Sequence, residues 1–182
     1  MPDIRNERTD DAVKDALLEL LADKALADIS MAELARRAGV SRSTLYLHFG
    51  NVHDVFSALV ADFLADVRGL RTQLTCDECH AAAEKRPFCM ALRAAGPYQP
   101  LVLAPEFLPT YLEIVLNGPA LDEALAPFLD TGVTPDQARA LFVFQMTGCY
   151  TAATTLDSML WEDNQRAIDQ FIRGGFTALK QL

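Results

Sequence analysis

Residues 29–56 read ISMAELARRAGVSRSTLYLHFGNVHDVF, and the order of caps, apolar positions and one glycine in this stretch decides the fold. Ser30 and Glu33 form an S-x-x-E capping box, which starts a short helix that buries Met31, Leu34, Ala35 and Ala38. Gly39 ends that helix, because a chain reversing there needs the positive φ that glycine adopts without strain. Ser41 caps a third helix, Arg42 to His48, with Leu45 and Phe49 facing inward and Val40 filling the space between the helices. Asn51, with Asp54 three residues on, caps a longer fourth helix carrying Val55, Phe56, Leu59, Val60, Phe63, Leu64 and Val67 on its apolar side.

Working outward, the same 3.6-residue period runs through nearly the whole chain, and strand-like alternation is confined to short runs such as PLVLAP. Thr9, followed by Asp10 and Asp11, suits the start of a first helix with Val13, Ala16, Leu17, Leu20 and Leu21 on one face. Beyond the fourth helix, further helices are expected from Pro87 to Gly96, about 105–117, about 119–130, Thr134 to about Leu160, and about 162–180. The expected architecture is all-α: a helix-turn-helix domain over 1–50, then a helical effector-binding and dimerisation domain over 51–182.

Two short helices joined by a glycine turn are the helix-turn-helix pattern, although a plain helical hairpin with a solvated basic face has the same spacing. Charge favours a local nucleic-acid contact. The chain carries a net charge of −9, yet from Leu34 to His53 it holds Arg36, Arg37, Arg42 and two histidines with no acid. A helix presenting Arg42, Ser43, Thr44, Tyr46 and His48 fits a major groove, where Arg42 can read guanine edges and Thr44 can meet phosphate or a thymine methyl.

The block from the capped short helix through A-x-x-A-G-V-S and T-L-Y-x-H-F to the next cap closely resembles the DNA-binding signature of tetracycline-repressor-type (TetR) regulators. The resemblance implies a homodimeric regulator, expected to be a repressor that binds a palindromic operator in double-stranded DNA and is released by a small-molecule effector or by a metal or redox signal. It places Arg42, Ser43, Thr44 and Tyr46 where such proteins touch bases and nearby phosphates, and His48 where they meet the backbone; Ser30, Arg36, Arg37, Ser41 and His53 complete the candidate DNA-binding set. Two positions depart from the pattern: Val52 stands where a phosphate-reaching lysine is common, and Ala25 where glycine is common. His53 is the neighbouring group that could replace the lysine. The last two helices would form the dimer interface, with Gly148, Gly174 and Gly175 allowing close backbone approach at a cost of about 1 kcal/mol each. Phe88, Met90, Tyr98, Phe107, Tyr111, Phe144, Met146 and Tyr150 are the expected lining of an apolar effector pocket.

Thr75–Arg93 carries three of the four cysteines. Cys76-Asp77-Glu78-Cys79-His80 matches the C-x-x-C-H haem-attachment pattern, which is short enough to arise by chance. Cys76, Cys79, His80 and Cys89 could instead hold zinc, form a redox-sensitive disulfide, or be idle thiols in a helical hairpin. Cys149, among apolar residues, reads as core. The charged amino terminus has no signal-peptide core and no apolar run is long enough to span a membrane, so a cytoplasmic protein without membrane partners is expected. A thiol oxidoreductase using Cys76 and Cys79 is the enzymatic alternative, but no βαβ context, Ser-His-Asp set or paired carboxylates accompany it. The expectation is a regulator and not an enzyme.

Overall fold

A computed structural model describes residues 4–66 and 88–181, and among them every regular element is helical. The helices are α1 (Ile4–Leu21), α2 (Met31–Arg37), α3 (Arg42–His48), α4 (Val52–Asp66), α5 (Phe88–Arg93), α6 (Gln99–Leu103), α7 (Phe107–Asn117), α8 (Leu121–Leu129), α9 (Pro135–Thr155) and α10 (Trp161–Leu179). They fall into two compact units. One holds the described residues up to 66 together with 96–111; the other holds 88–95 and 112–181.

In the first unit α1 packs on α2 and α4, α2 on α3, and α6 on α1 and α4. Val13, Leu17, Leu34, Leu45, Val55, Val60, Leu101 and Phe107 are fully buried, and each such aliphatic or aromatic side chain is worth about 1.5–3 kcal/mol when buried. Met31, Ala38, Val40 and Phe49, expected inside, are half-buried, because a seven-residue helix turns only one narrow stripe to the core. Helix α1 begins at Ile4, so Thr9 lies within it rather than capping it. The run Arg5–Arg8 contains neither proline nor glycine, and nothing in it stops the helix from extending. The PLVL run belongs to α6, with Leu101 and Val102 buried.

The turn after α2 is a Schellman motif. Ala38 closes the helix, Gly39 takes φ +69°, Val40 N–H donates to Ala35 O at 3.0 Å and Gly39 N–H donates to Arg36 O at 3.3 Å. Helix α4 starts with a reciprocal cap: Asp54 N–H donates to Asn51 Oδ1 at 3.0 Å, while Asp54 Oδ2 accepts from the Gly50 and Asn51 amides. Beyond α4, Phe63 meets Tyr98 and Phe107 edge-on, with ring centroids 5.5 and 5.7 Å apart. The Tyr98 hydroxyl donates to Asp66 Oδ2 at 3.0 Å. Burial first, then Asp66, pushes the Tyr98 phenol up to about 12.

In the second unit α9 is the central helix, contacted by α5 and α8. Its start is a full capping box: Gln137 N–H donates to Thr134 Oγ1, and Thr134 N–H to Gln137 Oε1. It ends at Thr155, short of the expected Leu160, where Leu156 takes an extended conformation. Arg93 receives that end. Its guanidinium donates to Ala153 O at 3.1 Å and Leu156 O at 3.3 Å, and lies 4.4 Å over the Trp161 ring. Phe128 of α8 packs on Phe142 and Phe176, with centroids at 6.5 and 5.1 Å. No helix among the described residues is long and apolar enough to cross a membrane.

Gly39→Ala should lower unfolding free energy by about 1–2 kcal/mol, measured by urea denaturation, because a Cβ meets no neighbour there but the left-handed backbone is strained. An unchanged midpoint would show that the turn relaxes. The raised Tyr98 pKa supplies stability that is full below pH 10 and lost as pH rises toward about 12, since the unfolded chain ionises first. Phenolate absorbance should show a late step to which Tyr98 contributes alongside the raised Tyr150, and Tyr98→Phe should remove its part of that step and its share of the alkaline loss of stability.

Candidate nucleic-acid interface

Helix α3 sorts its seven residues by direction. Leu45 is buried, Thr44 and His48 are half-buried, and Arg42, Ser43, Tyr46 and Leu47 are exposed. Ser41 holds the start of the helix. Its Oγ accepts from Thr44 N–H at 3.0 Å and shares hydrogen bonds with Ser43 Oγ and Thr44 Oγ1, both at 2.8 Å. The Thr44 hydroxyl is thus engaged in the cap, and the outward surface is made by Arg42, Ser43, Tyr46 and Leu47.

Helix α2 contributes the other wall. Ser30 Oγ accepts from Glu33 N–H at 3.2 Å, and the Glu33 carboxylate turns to Lys24 Nζ at 2.7 Å. That hydrogen bond, followed by the charges of Lys24, Arg36 and Arg37, holds the Glu33 carboxyl below its ordinary range, so it stays ionised. A concavity of about 560 Å³ lies between the two helices and is lined by Ser30, Ala32, Glu33, Ala35, Arg36, Val40 and Arg42. Among the described residues neither Arg36 nor Arg42 forms an ion pair, whereas Arg37 Nε reaches Glu19 Oε2 of α1 at 3.0 Å.

The structure gathers Ser30, Arg36, Ser41, Arg42, Ser43 and Tyr46 at α2 and α3. His48 Nδ1 lies 2.6 Å from Asp10 Oδ1 of α1, with the imidazole largely covered. His53 is exposed on the first turn of α4. Val52, at the position where lysine is common, is 8 % exposed and serves the core. Ala25 has φ −67° and ψ 150°, an ordinary extended conformation, so this turn does not need glycine. Two residues of this surface lie outside the sequence-based set. Asp10 gives no local signal, being 38 residues from its histidine. Leu47 could have been found: two residues from the buried Leu45, it must face outward on a helix.

The expected effector residues are divided between the two units. Tyr98, Phe107 and Tyr111 belong to the first unit, where Phe107 and Tyr111 stack at 6.4 Å. Phe88, Met90, Met146 and Tyr150 belong to the second unit, where Phe88 and Met146 are buried, Met90 Sδ accepts from Trp161 Nε1 and burial raises the Tyr150 phenol. Phe144 is 69 % exposed and lines a different feature, an apolar groove of about 370 Å³ between α9 and α10. Gln145, Gly148, Cys149, Ile168, Phe171, Ile172 and Gly175 also line that groove, while Phe142 is in the core. Cys76, Cys79 and His80 lie outside the described residues, and Cys89 is buried at the start of α5.

Residues 14–59 match the family model of bacterial regulatory proteins of the tetR family. Among solved structures, the chain is similar to the TetR family repressor AlkX of Dietzia sp., implicated in biodegradation of n-alkanes, at 20 % identity over 94 % of this chain and 95 % of that one, with a TM-score of 0.43. It is also similar to TetR of Acinetobacter baumannii AYE, at 17 % identity over 93 % of each chain with a TM-score of 0.47. A variant of that repressor in complex with minocycline is 19 % identical, covers 93 % of this chain and 92 % of its own, and gives 0.49. These likenesses are loose, and the family-model match covers residues 14–59.

Proposed function

We propose, from an amino-terminal domain that belongs to the tetR family of bacterial regulatory proteins, that this DNA-binding transcriptional regulator is a cytoplasmic homodimeric repressor. It binds a palindromic operator and leaves it when a small molecule binds the helical region. One observation carries the DNA half of this reading: a glycine-capped turn holds α3 so that Arg42, Ser43 and Tyr46 point outward together, beside Arg36, which forms no ion pair among the described residues. Arg42 is the base-reading cation, through guanine N7 and O6, and the hydroxyls of Ser43 and Tyr46 supply phosphate or base contacts. Each subunit would place one α3 in a major groove, so half-site centres would lie about 34 Å apart or a multiple of that.

The α9–α10 groove supports the dimer. Phe144 and Phe171 are 69 % and 72 % exposed, and a cluster of apolar side chains this open is characteristic of an interface. Apart from its own helix backbone, a Cβ added at Gly148, Gly174 or Gly175 would meet nothing within 4 Å among the described residues. Open space at these glycines is consistent with the close approach of a second copy. The effector is assigned by chemistry alone: the aromatic and sulfur side chains of the helical region suit a small lipophilic molecule.

Fluorescence anisotropy on a duplex selected from a random library tests the DNA reading. Specific binding should weaken with salt at a slope of about −0.9 per phosphate neutralised. Arg42→Ala should cost about tenfold or more in affinity, and Arg37→Ala, whose side chain is held by Glu19, should cost less. Failure to enrich any sequence would overturn the reading. Phe171→Glu should yield monomers in sedimentation and lose operator affinity with them, while helix content is retained. A dimer that survives this change would place the interface elsewhere.

A further inference from the structure

Helix α3 carries an apolar side chain that the fold does not use. Leu47 is 85 % exposed, among the highest values for any large hydrophobic residue described. Isolated exposed leucines are ordinary on protein surfaces, but this one is not scattered. Among the described residues up to Asp66, the large exposed hydrophobics are Tyr46 and Leu47, adjacent on α3 and on the outward side of the helix. Ser43 and Leu47 are four residues apart and share one stripe, and Arg42 and Tyr46 share the next. The outward face thus reads as cation and phenol on one line, hydroxyl and isobutyl group on the other.

We propose that Leu47 is a specificity-determining residue that reads the C5 methyl of a thymine in each operator half-site. The proposal rests on the reading of α3 as the helix that enters the major groove. In that groove thymine presents a methyl group, and apolar side chains discriminate for it by burying it. Leu47 lies five residues beyond Arg42, about 7.5 Å along the helix axis. With base pairs spaced about 3.4 Å apart, its thymine lies about two base pairs from the guanine read by Arg42. A leucine can neither donate nor accept a hydrogen bond, so it disfavours a base edge that offers only polar groups. 5-Methylcytosine carries the same methyl in the same place; thymine is the assigned base, and the two are separated by experiment.

The test uses the full chain. Duplexes are selected from a random library at fixed salt. Each thymine of the recovered half-site is then replaced by deoxyuridine, which removes only the C5 methyl. At one thymine per half-site, the replacement should weaken the wild-type protein by about fourfold, the factor for burying one methyl group. Leu47→Ala should bind the parent duplex more weakly and respond to the same replacement less than twofold, whereas Leu47→Met, which keeps an apolar tip, should retain the thymine preference. Leu47→Ala removes an exposed side chain, and unchanged circular dichroism will confirm that its fold is intact. Identical responses of wild type and Leu47→Ala at every thymine overturn the proposal while leaving DNA binding in place. Preference for 5-methylcytosine over thymine at that position overturns the assignment to thymine. Recovery of no sequence at all overturns the DNA-binding reading, and this proposal with it.

Discussion

The reversal at Gly39 is the constraint on which the interface depends. A left-handed residue with two backbone hydrogen bonds closing the end of α2 sets the direction in which α3 departs. Leu45 then anchors α3 from below, fully buried. One pinned turn and one buried side chain leave a seven-residue helix little rotational freedom, and its outward residues are decided by that alone. The caps at Ser30, Ser41 and Asn51 add to the same end, since each satisfies backbone donors that would otherwise compete for other partners.

Electrostatics refine what sterics establish. The amino-terminal region is acidic overall, and its acids are placed to select which cations remain available. Glu19 holds Arg37, Glu33 holds Lys24 and Asp62 holds Lys14. Such surface pairs contribute little to stability, typically below about 1 kcal/mol. Their effect here is on orientation: they tie cations to α1, α2 and α4 and leave Arg36 and Arg42 beside the concavity. A chain with net charge −9 can therefore present a local basic surface without a basic domain.

The second unit is organised around α9 by different means. Phe128 joins α8 to both Phe142 and Phe176, and Arg93 neutralises the carbonyl end of α9 while covering Trp161. These contacts use one side of α9 and α10. The other side keeps Phe144 and Phe171 in solvent and three glycines with open space above them. The helix pair is thus aromatic on both sides, and among the described residues it is packed on one; that asymmetry, more than the glycines alone, is what supports the proposed dimer face.

Local chemistry determined the elements: the S-x-x-N–H caps, the glycine reversal and the apolar stripes of α1, α2, α3 and α4 depend on residues within a few positions of one another, and so were legible in the sequence, as was the family resemblance over the reading head. Boundaries were less legible where nothing local stops a helix, as at the start of α1, or where a distant side chain receives its end, as Arg93 does for α9. Tertiary structure decided the pairings. The hold of Asp10 on His48, the capture of Arg37 by Glu19, the burial of Val52 and the distribution of the eight expected effector residues between two units all depend on groups far apart in the chain. The physical reason is range: a cap or a turn is a short-range interaction that sequence spacing specifies, whereas ion pairs and burial depend on which helices meet, and that is settled only when the apolar faces pack.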